Sequence, residues 1–152
     1  MVSLLSDLLL QAGIIFEDYF AEAIIVLLLI VLFVYRNDKK RIKAIFISVA
    51  LALITGYLLK DIFQIPRPCV AMPSLIQCPP SFSLPSLHAA FSFAFIGATI
   101  GTKPFYILFP LVLLIVFTRI YLGVHTFVDI LAGLVVGVVA FFIAKEIVLL
   151  LK

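Results

Sequence analysis

The chain of 152 residues has only two histidines, His88 and His125. Asp129 follows His125 by four residues, so on a helix the two share one face and the carboxylate can accept from an imidazole N–H. A histidine oriented in this way is an activated nucleophile or general base, and a second histidine can serve as general acid toward a leaving oxygen. Three cations lie in the same segments: Lys60 ends an apolar run, Arg67 is bracketed by Pro66 and Pro68, and Arg119 closes another apolar run just before His125. The two prolines restrict the backbone around Arg67 and help fix the direction of its guanidinium. Pro85-Ser86-Leu87-His88 precedes an apolar helix, with Ser86 placed to cap it and the first free N–H groups, that of Leu87 among them, pointing outward. Three cations and a helix N-terminus make a site for a polyanion, of which phosphate is the common biological case. A metal site on His88, His125 and Asp129 is the competing reading. It is weaker, because three cations would repel a divalent ion and no further Cys/His set is present.

The elements that must position these residues are membrane spans. The chain is 65% hydrophobic and 12% charged, with a mean hydropathy of +1.33, against about 45–50% and about 25% for soluble domains. Too little polar surface remains for a disordered chain, a nucleic-acid-binding arm or a conventional cytosolic enzyme, and no nucleic-acid partner is expected. With about 20 residues per span, five or six spans use most of the chain. Apolar runs cover 19–35, 44–59, 89–102, 105–117 and 127–151. Residues 2–16, which carry Asp7 and Gln11, read as a short sixth span or a helix lying in the interface. No Lys or Arg precedes that stretch, so it does not resemble a signal peptide.

Lys and Arg in short loops set the orientation. The segment 36–43 holds Arg36, Lys39, Lys40, Arg41 and Lys43 against Asp38 alone and belongs on the cytoplasmic side. Lys103, Lys145 and Lys152 then fall inside with it, while Glu17, Asp18 and Glu22 fall near the outer face. Eight of the eleven basic residues are thereby explained by topology. The remaining three, Lys60, Arg67 and Arg119, land outside with both histidines. A single such cation could merely snorkel at a helix end. Convergence from three separated segments marks a functional site, because ionisable groups in so apolar a chain are costly unless paired.

Lys60-x6-Arg67-Pro68, Pro85-Ser86-Leu87-His88 and Thr118-Arg119-x5-His125-x3-Asp129 together resemble the three-part signature of the type 2 phosphatidic acid phosphatase superfamily. That group includes the vanadium haloperoxidases and the bacterial class A acid phosphatases. The resemblance implies an all-α, integral membrane bundle of six transmembrane helices, the first one short, with the active site at the outer face. It implies that His125 forms a phosphohistidine oriented by Asp129, and that His88 protonates the leaving group and later activates water. Lys60, Arg67 and Arg119 would bind the phosphate, assisted by Ser86 and the N–H of Leu87, with no metal or other cofactor. Two positions depart from the family pattern: Leu87 stands where it has glycine, and Thr118 where it has serine.

The expected organisation is one membrane-embedded domain over residues 1–152 with its motif core at 60–129. The expected activity is metal-independent hydrolysis of a membrane lipid phosphate, of the phosphatidate, phosphatidylglycerophosphate or polyprenyl diphosphate type, with the bilayer delivering the substrate. The alternatives are a lipid phosphotransferase using the same histidine and a non-catalytic lipid-phosphate binder or transporter. Four secondary features complete the reading. Cys69 and Cys78 either form a disulfide or remain as two thiols. The proline-rich stretch 66–85 forms a lid or lip beside the site, or else a solvated connector. Asp61 is the charge partner of Lys60, and Gly133 and Gly137 form a small-residue helix contact of the kind that also serves dimers.

Overall fold

The computed structural model describes residues 2–151, so Met1 and Lys152 lie outside it. The described residues form six α-helices and one 3-10 turn, with no strand. In chain order they are α1 (Val2–Asp18), α2 (Phe20–Val34), α3 (Lys39–Phe63), the 3-10 turn Pro68–Val70, α4 (Leu87–Gly97), α5 (Lys103–Tyr121) and α6 (Phe127–Leu150). Three of these, α3, α5 and α6, are long and apolar enough to cross a membrane. The shorter α2 and α4 are equally apolar and complete the bundle around them.

α4 is the hub. The expected run 89–102 becomes a helix of only 11 residues that starts earlier, at Leu87, and ends at Gly97. Beyond it the chain turns through Gly101, whose φ of +79° is a conformation open to glycine. α4 is apolar on all sides, as a helix enclosed by others should be, and it packs against α3, α5 and α6. The α4–α6 seam depends on small residues: a Cβ on Gly133 would lie 2.5 Å from the Ser86 carbonyl oxygen, and one on Gly137 would lie 2.5 Å from that of Ala90. The glycine pair therefore closes an intramolecular contact, bringing the start of α6 against the start of α4. Ala52, Ala90, Ala94 and Ala140 extend the same close packing to α3. Phe91 and Phe95 fill the α2–α3 side with Val31, Tyr35, Ile45 and Val49. Outward-facing Phe33, Ile62, Ile107 and Phe142 are exposed, the surface a bilayer would cover.

The basic segment also has a structural role. Asp38 caps α3 by accepting from the Arg41 N–H, and the Arg41 guanidinium donates to the carbonyl of Ala98 at 2.8 Å. That bond ties the first turn of α3 to the end of α4. At the opposite end of the bundle, α1 rests chiefly on α5 and α2. Gly13 makes the α1–α5 approach possible, since a Cβ there would meet Leu122 Cδ1 at 2.9 Å.

Candidate active site

His125 lies in the turn between α5 and α6 and is buried. Its Nε2 is 3.0 Å from Nη1 of Arg67. A guanidinium can only donate, so Nε2 accepts and the proton resides on Nδ1. Nδ1 faces Asp129 Oδ2 at 3.5 Å and Ser83 Oγ at 3.4 Å. The ring is thus held with its lone pair on Nε2, and His125 and Arg67 both line a cavity of about 150 Å³. Burial pushes the His125 pKa down to about 4; the hydrogen bond to Asp129 pulls the other way, and the charges of Arg67 and Lys60 act with burial.

Asp129 is fixed by local sequence chemistry. It is the third residue of α6 and completes a capping box with Thr126, whose backbone N–H it accepts at 2.6 Å and whose hydroxyl accepts from the Asp129 N–H. The same Oδ2 accepts from the Ser83 hydroxyl at 2.6 Å. A carboxylate that starts a helix therefore also orients the imidazole one turn before it.

The 64–86 segment forms the wall facing His125. The Cys69–Cys78 disulfide closes its outer part. Arg67 donates from Nε to the Ser81 carbonyl at 2.8 Å, from Nη2 to the Ser81 hydroxyl at 2.9 Å and from Nη1 to the Val124 carbonyl at 3.2 Å. Burial lowers its pKa, with Glu17 and Asp129 opposing. Lys60 reaches from α3 to the carbonyls of Phe82 and Ser83. Its expected pairing with Asp61 does not form: Asp61 is exposed, as adjacent positions on a helix face different directions.

The opposite wall holds His88, whose ring stacks on Phe20 with centroids 3.9 Å apart. Its Nε2 lies 2.9 Å from the Phe16 carbonyl, so it carries the proton there. Arg119 is completely buried behind it. Its Nη1 pairs with Glu17 at 2.5 Å, Nη2 donates to the Gly13 carbonyl at 2.7 Å, and both Nε and Nη2 approach the Thr118 hydroxyl. Thr118 thus retains the hydroxyl that a serine would offer.

Of the residues expected at the site, Lys60, Arg67, Leu87, His88 and His125 line the cavity, with Asp129 directly behind His125 and Arg119 behind Glu17. Ser86 occupies the N-cap position of α4, but its side chain makes no cap bond. The hydroxyl is buried without a hydrogen-bond partner, and Ser86 does not line the cavity. Leu87 takes the first helical position, where glycine's freedom is not needed, and its Cδ2 fills the space beside Gly56. Sequence reasoning missed Ser81, Ser83 and Tyr57, because a lone serine or tyrosine in an apolar context carries no spacing signal. It gave Glu17, which lines the cavity, no role.

Comparisons with known proteins agree with this arrangement. The family model described as PAP2 superfamily matches residues 41–151. The crystal structure of Aquifex aeolicus LpxE superposes with a TM-score of 0.74 at 25% identity, covering 95% of this chain and 86% of that one. The first transmembrane PAP2-type phosphatidylglycerolphosphate phosphatase from Bacillus subtilis gives a TM-score of 0.70 at 22% identity, covering 97% and 78%. No curated protein matches the sequence. A helical membrane bundle with this family match over most of its length admits one assignment: the chain belongs to the PAP2 superfamily.

Proposed function

We propose that this protein is a lipid phosphate phosphatase that works through a phosphohistidine at His125, with its site on the extracytoplasmic side of the membrane and its C-terminus in the cytoplasm. One observation carries the reading: His125 lines a cavity with Lys60 and Arg67, its Nε2 lone pair is directed to the Arg67 guanidinium, and its Nδ1 is held toward Asp129.

A phosphate oxygen entering this cavity takes over the Arg67 Nη1–H that Nε2 now accepts, which frees the lone pair. Nε2 attacks phosphorus as the bond to the leaving oxygen breaks. His88 gives its proton to that oxygen, and Lys60, Arg67 and Arg119 balance the charge on the other phosphate oxygens. The Asp129 carboxylate stabilises the positive imidazole that forms on attack. Water then attacks the phosphohistidine and loses a proton to His88. The P–N bond breaks, inorganic phosphate leaves and His125 is restored. The positive-inside distribution of Arg36, Lys39, Lys40, Arg41 and Lys43 supports the orientation. Lipid delivery fits a cavity that holds a phosphate-sized group with no room for acyl chains, which would stay in the bilayer.

The test is phosphate release by the purified chain in detergent with EDTA, across monophosphate and diphosphate lipids of differing tails. Release that vanadate inhibits and that needs no divalent metal is the expected result. A strict requirement for metal would overturn the mechanism. Transfer of the phosphoryl group to an added alcohol with little release would make the protein a transferase, and binding without release a carrier.

A further inference from the structure

The cation best placed beside His88 is already neutralised by the protein itself. All three donor nitrogens of Arg119 are engaged, by Glu17, by the Gly13 carbonyl and by the Thr118 hydroxyl. Glu17, in contrast, stands in the cavity wall with Lys60, Arg67, His88 and His125. A carboxylate therefore occupies the Arg119 face that an entering phosphate would need. We propose that Glu17 determines specificity by excluding singly charged phosphodiester headgroups and yielding only to a more highly charged phosphate monoester or diphosphate. This rests on the lipid phosphatase reading above.

The argument is one of competition for a buried guanidinium. A phosphate that leaves Glu17 in place meets a carboxylate across a small cavity of low dielectric, where repulsion between like charges is strong. A phosphate that displaces Glu17 must offer Arg119 more than a carboxylate does. A monoester carries about two negative charges at neutral pH and three acceptor oxygens, so it exceeds the carboxylate on both counts. A diester has a single charge and only matches it. Bulk phospholipids are diesters and far outnumber any lipid phosphate monoester, so an unguarded cationic pocket open to the bilayer would fill with them.

The element carrying Glu17 is suited to yielding. It is the last turn of α1, which ends at Asp18 and is followed by the break at Tyr19. Within the bundle that helix rests chiefly on α5 and α2, away from the α3–α4–α6 packing. The same turn supplies the Phe16 carbonyl that holds the His88 Nε2–H. Displacing it would free Arg119 and the proton of His88 together, so the guard and the acid are coupled.

Short-chain phosphatidate and phosphatidylglycerol serve as monoester and diester probes. Their affinities are measured for the full chain in detergent, in a His125→Ala background so that nothing is consumed. Glu17→Gln should tighten phosphatidylglycerol about tenfold, the size of one partly screened charge pair, and so collapse the preference for phosphatidate. Glu17→Asp should keep the preference. Glu17→Ala provides a second removal in case Gln disturbs folding, with melting temperature as the check. An unchanged ratio in either folded removal variant overturns the proposal. Phosphate release is read separately on the His125 protein. A collapsed ratio in a chain that never releases phosphate would keep the guard and sink the catalytic reading, whereas release with an unchanged ratio does the reverse.

Discussion

The two histidines face one cavity from opposite walls, and the walls are built differently. His125 is held by the framework of the fold: a helix-capping carboxylate, a serine from the disulfide-closed segment, and an arginine fixed to two carbonyls. His88 and its neighbour Arg119 are held instead by the last turn of α1, through Phe16, Gly13 and Glu17. The His125 wall is preorganised, which would lower the cost of reaching a transition state there. The His88 wall is preoccupied, and an entering phosphate would have to replace what is there. On the proposed mechanism the first wall supplies the nucleophile, and the second supplies the proton and the selection.

The sharpest way to break that division is to remove each histidine and vary the leaving group. His125→Ala should abolish phosphate release from every lipid phosphate and leave no radiolabelled phosphoenzyme on rapid quench. His88→Ala should lose about 10²–10⁴-fold on alkyl phosphates, the usual contribution of a general acid. It should lose far less on an aryl ester such as p-nitrophenyl phosphate, whose leaving oxygen needs no proton. Equal losses on both esters would show that His88 acts elsewhere than on the leaving group.

The same division marks what the sequence revealed. The His125 wall was legible in part from local spacing: His125 and Asp129 are four residues apart, and Arg67 sits between two prolines. The fold puts the histidine in the turn before α6 rather than on its face. Three cations that the positive-inside rule did not account for pointed to segments that the fold brings together around one cavity. Three things were not legible. Ser83 looks like any serine in SFSLPS, since nothing in its spacing shows that the segment folds back onto α6. Glu17 is one of three acids expected near the outer face, and its partner is 102 positions away. Ser86 reads as a cap, but its hydroxyl is buried without a partner while its backbone carbonyl meets α6 at Gly133. Local periodicity also overestimated α4, because an apolar run does not reveal where its backbone turns.

A smaller effect sharpens the account of the first wall. Ser83→Ala should lower kcat about tenfold, the worth of one buried hydrogen bond to a charged group, with KM little changed. The tautomer and charge of His125 can be followed by ¹⁵N NMR of labelled imidazole. In the free protein it should titrate near pH 4, so the ring remains neutral at pH 5.5. The unfolded chain takes up that proton nearer the ordinary value of 6.5. Folding stability from this group is therefore lost as pH falls from 6.5 toward 4 and is flat above that window. Arg67→Gln removes a cation that lowers the pKa, so the midpoint should rise. A wild-type midpoint near 6.5 would mean that His125 is not buried as described.

The smallest effect concerns the floor between the walls, where Leu87 replaces the family's glycine. Its Cδ2 lies 2.6 Å from where a Gly56 Cβ would be, so the leucine on α4 and the glycine on α3 make one fitted pair. Gly56→Ala alone should cost about 1–3 kcal/mol by overpacking, and Leu87→Ala alone about 2–5 kcal/mol by leaving a cavity. Combined, the new methyl on α3 enters the space the leucine vacates, so the double variant should be less destabilised than the sum of the two. Thermal melts in one detergent read the cycle directly. Because neither residue carries a reacting group or holds either histidine, kcat in the double variant should change only a few-fold. Strict additivity would mean that the two side chains do not share that space, and that the leucine's place in the motif must be explained by what it presents to the cavity.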